Sequence, residues 1–172
     1  MNKKNIDNKV VSDFGKEWQA FNHQDIDKSL LDSAFDSYFH FFPFDDVSNA
    51  EGFDMGCGSG RWAKFVAPKV GFLNCIDPSE AALEQAKLNL IDVKNCSFEC
   101  NGVDGNSLKD QSQDFGYSLG VLHHIPDTSL ALKACAKKLK SGAPFLLYLY
   151  YRFDNKPKSH YFLWKISDLF RG

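Results

Sequence analysis

Glu51-Gly52-Phe53-Asp54-Met55-Gly56-Cys57-Gly58-Ser59-Gly60-Arg61 is the stretch on which the reading of this chain turns. A short apolar approach ends in an acid, Asp54, and glycines then fall at every second position, Gly56, Gly58 and Gly60. Glycine is needed where a chain takes positive φ or where a ligand lies against bare backbone, so a tight strand-to-helix turn with a small molecule resting on it is expected. The spacing sorts the molecules that use such turns. A dinucleotide fold wants its third glycine three residues after the second, and here it comes after two. A phosphate-cradling loop ends in Gly-Lys-Ser/Thr, whereas Gly60 is followed by Arg61 and Trp62.

Downstream, strand, turn and helix alternate, the signature of a parallel sheet covered by helices on both faces. The first strand ends near Met55 and a helix follows over 61–67. A second strand, 72–76, ends at Asp77, and the next helix opens at Pro78-Ser79-Glu80, with Ser79 as N-cap and Leu83, Ala86 and Leu90 on its buried face. A third strand is expected at 96–100, then a loop through Asp104 to Gln113, then a fourth strand at 115–119. A helix with Leu130, Ala134, Cys135 and Leu139 inward ends at Ser141-Gly142, where Gly142 is the expected left-handed terminator. A fifth strand spans 145–151, followed by an amphipathic helical stretch over 160–170. Upstream, residues to about Ser12 read as a frayed tail. Helical spacing of Leu31, Phe35, Tyr38, Phe39 and Phe42 gives 13–44 an apolar face, with Phe14, Trp18 and Phe21 as aromatic anchors.

A chain of 172 residues that is 44% hydrophobic suits one domain with a real core. Its net charge of -2 and pI near 6.2 give no reason to expect nucleic acid as a partner. No apolar run reaches the roughly 18 residues of a membrane span, and the polar N-terminus lacks a secretory core, so no membrane span is expected and the cytoplasm is the expected location. Five scattered cysteines, without a CxxC pair, argue against both a disulfide framework and structural zinc, so no metal site is expected.

Asp54-Met55-Gly56-Cys57-Gly58-Ser59-Gly60 is similar to the first motif of the class I S-adenosylmethionine-dependent methyltransferases, and three further landmarks follow in that family's order. They are Asp77 at the end of strand two, Leu122-His123-His124-Ile125-Pro126 after strand four, and Leu139-Lys140-Ser141-Gly142-Ala143 before strand five. The resemblance runs over residues 50–150. It implies an α/β fold, a Rossmann-like three-layer α/β/α sandwich with a mostly parallel sheet of about five strands. The chain then divides into an N-terminal helical cap (1–48), a cofactor-binding core (49–151) and a C-terminal helix (152–172) of a single methyltransferase-like domain. The implied cofactor is S-adenosylmethionine, with S-adenosylhomocysteine as product. By the same resemblance Asp77, with Pro78 beside it, accepts the ribose hydroxyls, and Asp54 holds the ammonium of the methionine portion directly or through water. Gly56, Cys57 and Gly58 let that portion lie on the turn. Asp104 resembles the acid that accepts from the adenine amino group, with Gly105 allowing close approach, although 101–105 departs from the family's usual Gly-Asp pair. Ser118 and Leu119 floor the pocket near the sulfonium.

Methyl transfer from a positively charged sulfur is an in-line displacement, so the implied task is to place an unidentified small-molecule acceptor and exclude water. A general base matters only if the acceptor loses a proton. His123 is the first candidate by location, with His124 next to it. The family closes its sheet with two strands after the fifth, and only five are countable here. Strand five is therefore expected to be an edge with a long apolar face, covered by the last helix or by a second chain in a homodimer. The competing reading is a noncatalytic or truncated S-adenosylmethionine-binding domain that needs a partner or the missing strands for activity.

Overall fold

The computed structural model describes residues 5–20 and 27–150, and in the first helix only the backbone at Phe14 and 16–20. Strands β1 (Glu51–Met55), β2 (Phe72–Asp77), β3 (Cys96–Cys100), β4 (Phe115–Leu119) and β5 (Phe145–Tyr148) form one parallel sheet in the order β3-β2-β1-β4-β5. The chain builds outward from β1 to β3, then crosses back to lay β4 against the other side of β1. The crevice between these two directions opens at the C-terminal ends of β1 and β4, where α/β sheets bind ligands.

The central strands read as near-continuous buried runs because helices cover both faces of the sheet. Between β1 and β4, Gly52 sits opposite Phe115 and Phe53 opposite Gly116. A Cβ on Gly52 would lie 2.5 Å from the Phe115 ring, and one on Gly116 would lie 2.4 Å from the Phe53 ring. Each ring thus fills the space above its partner's glycine, and both are fully buried. Phe115 joins Phe35, Phe39, Phe42 and Tyr117 on one face, whereas Phe53 joins Met55, Ile76, Leu122, Ala131 and Cys135 on the other.

Helix α1 (Asn8–Ala20) starts after Asp7, whose Oδ1 accepts from Lys9 N at 3.0 Å. Helix α2 (Lys28–Phe39) is capped by Asp27 and buries Phe35 and Phe39, whose rings stack at 4.5 Å on the sheet side. A 3-10 turn, Phe44–Val47, leads into β1. The frayed tail expected to Ser12 is a correction: the helix begins at Asn8, because an acid at the N-cap and apolar Val10 and Val11 give it both a start and a face to bury. The aromatic anchors expected at Phe14, Trp18 and Phe21 lie outside the described side chains.

After β1 the helix is short, α3 (Ala63–Val66), and continues as a 3-10 turn to Lys69 where Pro68 removes a backbone donor. Helix α4 (Glu80–Asn89) follows the expected cap, with Ala82 N donating to Ser79 Oγ at 3.3 Å, and buries Ala82, Leu83 and Ala86. Helix α5 (Thr128–Lys138) differs from expectation on two counts. Asp127 caps it by accepting from Leu130 N at 2.9 Å, and that phase turns Ala131 and Cys135 inward while Leu130 is 53% exposed. It also stops at Lys138, because Lys138 O and Lys140 N pair with the backbone of Gln113 instead of continuing the helical ladder. Gly142, at φ 82, closes the later turn from Lys140 to Ala143.

Strand β5 ends at Tyr148, three residues sooner than expected, where its partner β4 turns away at Gly120 and the last bond runs from Gly120 N to Tyr148 O. It is an edge of the described sheet. The cover expected over it, by the last helix or a second chain, falls outside the described residues. Among those described, no helix is long and apolar enough to cross a membrane.

Candidate functional site

The C-terminal ends of β1, β2 and β4 open on a cavity of about 470 Å³. Its floor is the glycine turn. Gly56 takes φ 81, and a Cβ there would lie 2.4 Å from Val121, so only bare backbone fits. The N–H groups of Gly56 and Cys57 both donate to Ile76 O, at 2.7 and 3.1 Å, which folds the turn across the end of β2. There it meets Asp77. One carboxylate oxygen accepts from Gly58 N at 2.9 Å and the other from Ser79 N at 2.8 Å, so this side chain ties the turn to the head of α4. Burial pushes the Asp77 carboxyl up and these two N–H donors pull it down. A carboxylate has about four acceptor sites, and Asp77, at the cavity wall, has two left for donors from the cavity.

Asp54 lies beneath the turn, 2% exposed, and its Oδ2 has no hydrogen-bond partner among the described residues. Burial pushes its carboxyl up to about 8; the neighbouring Tyr117 hydroxyl works in the opposite direction, and the charge of Asp77 adds to the rise. A folded-state value above the unfolded one means that the folded protein holds a proton the unfolded chain has released. Stability is therefore expected to fall as pH rises from about 4 to about 8, by at most about 1.4 kcal/mol per pH unit, and to level off above that. Thermal unfolding of the wild type and of Asp54→Asn across this range checks it: a slope unchanged in the variant would show that Asp54 is not its source.

The sequence candidates do not all converge. Gly56, Cys57, Gly58, Asp77, Pro78 and Leu119 line the cavity. Ser118 lies below it, fully buried, donating from Oγ to Met55 O at 2.7 Å and so joining β4 to β1. Asp104 and Gly105 stand outside, exposed, and the cavity is bounded there by Asn101, Gly102 and Val103. The cause is a side-chain clamp: Ser107 donates to Glu99 from both N and Oγ, which folds the loop tip back from the cavity.

The histidine pair divides at the cavity edge. Residues 122–124 form a 3-10 turn in which Leu122 is buried and the two imidazoles lie against one another. His124 lines the cavity and His123 does not. His123 instead packs on the His124 and Tyr150 rings, at 4.0 and 4.5 Å. Burial holds His124 below its ordinary value, so at neutral pH it is the uncharged, proton-accepting form.

Sequence reasoning missed an entire wall. Asn5, Ile6, Asp7, Val10 and Val11 border the cavity on one side, and Tyr38, Trp62, Tyr148 and Tyr150 form an aromatic rim. Tyr38 lies 5.3 Å from Trp62 and 4.9 Å from Tyr148 in edge-to-face contacts. The signal for the wall was present in the acid at Asp7 followed by paired valines.

Comparison with known proteins assigns this arrangement. The family model described as "Methyltransferase domain" matches residues 53–147, from the middle of β1 to β5, which is more than half of the chain. The chain belongs to the class I S-adenosylmethionine-dependent methyltransferase family. This methyltransferase domain is 32% identical over 93 residues to a ubiquinone biosynthesis O-methyltransferase of Idiomarina loihiensis, a match covering 52% of the chain and 37% of that protein. To the protein of the same name from Neisseria meningitidis it is 30% identical over 119 residues, covering 67% of the chain and 49% of the relative. The chain thus spans half or less of the length of these curated relatives. Among solved structures, an S-adenosylmethionine-dependent methyltransferase from Mesorhizobium loti is similar with a TM-score of 0.59 at 24% identity, covering 68% of this chain and 53% of that one. The Haemonchus contortus phosphoethanolamine N-methyltransferase 1, solved with phosphoethanolamine and S-adenosylhomocysteine, has a TM-score of 0.62 at 16% identity, covering 81% and 32%. Both likenesses speak for the fold of the methyltransferase domain.

Proposed function

We propose that this domain binds S-adenosylmethionine in the cavity over β1, β2 and β4 and serves methyl transfer to a small-molecule acceptor, releasing S-adenosylhomocysteine. The observation that carries the reading is Asp77, which holds the glycine turn and the α4 head together while keeping acceptor capacity for a pair of hydroxyls. One more observation suits the cofactor. Bare backbone at Gly56 admits an elongated ligand where a side chain would collide, whereas Asp54, buried beneath the turn, does not line the cavity. When bound, the cofactor supplies a methyl carbon activated by a positively charged sulfur.

The chain's own part is to place the acceptor and to take its proton. Tyr38, Trp62, Tyr148 and Tyr150 bound the end of the cavity next to Leu119, and their rings exclude water from a flat or apolar acceptor. His124, neutral at physiological pH, stands at that end as the base for a hydroxyl acceptor. The O-methyltransferase names of the curated relatives favour oxygen as the acceptor atom. Because this site brings His124 and not His123 to the cavity, the base is assigned to His124.

Titration calorimetry with S-adenosylhomocysteine and with NAD tests the cofactor, and binding of NAD alone would sink the reading. With a hydroxyl acceptor found by transfer of labelled methyl, His124→Asn is expected to lower kcat/KM by about 10²–10⁴-fold. In the wild type the rate falls as pH drops through a midpoint below 6.5, where the base becomes protonated, and the variant loses this limb. A variant with full turnover removes the base. The second reading, a cofactor-binding domain inactive without further strands, is favoured by the chain's share of its relatives' length. It is supported if S-adenosylhomocysteine binds and none of the hydroxyl, amine and thiol acceptors tested with labelled methyl is methylated.

A further inference from the structure

Asn5, in the segment that leads into α1, makes three hydrogen bonds with residues about a hundred positions away. Its side-chain Nδ2 donates to Asp127 O at 2.8 Å, and its Oδ1 accepts from Asp127 N at 2.8 Å. Its backbone N donates to Asp104 Oδ2 at 3.2 Å. Asp127 stands at the end of the loop after β4 and Asp104 in the loop after β3, so one residue joins the two loops that border the cavity. Next to it, Ile6 lies against Gly102, where an added Cβ would come 2.6 Å from its Cδ1. Farther along α1, Gly15 is buried against the head of α4, where an added Cβ would come 2.6 Å from Ser79 Oγ. The wall of Ile6, Asp7, Val10 and Val11 is therefore fastened at both ends.

We infer that Asn5 is a positioning residue for the cofactor, holding the N-terminal segment closed over it by pairing with Asp127 and Asp104. This rests on the reading of the cavity as an S-adenosylmethionine site. An elongated ligand wrapped by this wall leaves only after the wall lifts, and a segment held by few buried contacts lifts readily unless it is tied. The tie is built for opening, since all three bonds are at the surface and are exchanged for bonds to water at small net cost. Ile6, Asp7, Val10 and Val11 line the cavity, so a ligand in it meets them only while the wall is closed, and the closed conformation is thereby favoured when the ligand is present.

Stopped-flow displacement of S-adenosylhomocysteine from the full chain tests this. In Asn5→Ala the two side-chain bonds to Asp127 are lost, and dissociation is expected to accelerate about tenfold. Hydrogen exchange at Val10 and Val11 rises in the free protein, while its unfolding midpoint moves by no more than about 2 °C because the core is untouched. Gly102→Ala, which pushes Ile6 off its seat from the opposite side, is expected to accelerate dissociation in the same sense. A dissociation rate unchanged in Asn5→Ala overturns the inference, and so does a lowered unfolding midpoint of the free protein with no change in dissociation, which marks a purely structural role. If the wild type itself does not bind S-adenosylhomocysteine, the cofactor reading fails and the inference fails with it; binding by the wild type with equal rates in the variants leaves the cofactor reading intact.

Discussion

Asp77→Ala is expected to lower the affinity for S-adenosylhomocysteine by at least about a hundredfold, through two losses that add. The first is direct. A ligand whose paired hydroxyls donate to this carboxylate loses charge-assisted hydrogen bonds, each worth about 1.5–3 kcal/mol. The second is preorganisation, because Gly58 N and Ser79 N lose the acceptor that holds the turn against α4. Those two N–H groups become unpaired near the cavity floor, so the free protein is destabilised as well, by about 1–3 kcal/mol. Asp77→Asn separates the contributions. It keeps one carbonyl oxygen for one N–H and turns a donor toward the other, so it is expected to fall between wild type and alanine in both binding and unfolding temperature. Calorimetric titration and thermal unfolding of the three proteins provide the check, and an alanine variant that binds within threefold of wild type removes Asp77 from the site.

Gly56→Ala is expected to be the most damaging single-methyl addition in the turn. Its backbone sits at φ 81, a region that costs an L-residue about 1–2 kcal/mol. The added methyl would also meet three atoms of Val121, Cγ1 at 2.4 Å, Cγ2 at 2.6 Å and Cβ at 2.9 Å, so no rotamer of the valine clears it. Together these amount to about 2–4 kcal/mol, or roughly 5–15 °C in unfolding midpoint for a chain of this length. Since the turn is the cavity floor, cofactor affinity falls in parallel. Adding Val121→Ala relieves the Cγ contacts and leaves the backbone strain, so the double variant is expected to recover part of the loss. A single variant that unfolds at the wild-type temperature contradicts the account.

The parts of this fold that could be read from sequence are those where local chemistry and tertiary demand agree. Strands β1, β3 and β4 fall where their apolar runs meet turn residues, and α4 begins at the serine that caps it. The errors arise where a distant partner decides. The phase of α5 is set by its Asp127 cap, and its end by backbone pairing with Gln113, so Leu130 faces solvent despite its apolar side chain. The N-terminal segment looks polar and loose in isolation, yet Asn5 finds its partners across the fold. At the site, Asp77 and the glycine turn were legible because their spacing encodes their geometry. The choice between His123 and His124 was not, because a three-residue turn between a strand and a loop carries no periodicity to orient it. Asp104 matches its expected place in the chain but stands outside the cavity, since the Glu99 clamp on Ser107 shapes that loop.

The crossed exchange of rings and glycines between β1 and β4 limits how this sheet can diverge. Gly52 with Phe115, and Phe53 with Gly116, are two interlocking couples, one on each face, and no member of a couple has freedom of its own. A side chain at 52 or 116 has no room while its ring remains, and a ring trimmed alone leaves a void at the centre of the domain. Sequence drift at the heart of the molecule is therefore expected to proceed by concerted replacement. A relative with a smaller residue at 53 is the one expected to carry a side chain at 116, with the couple on the other face varying independently.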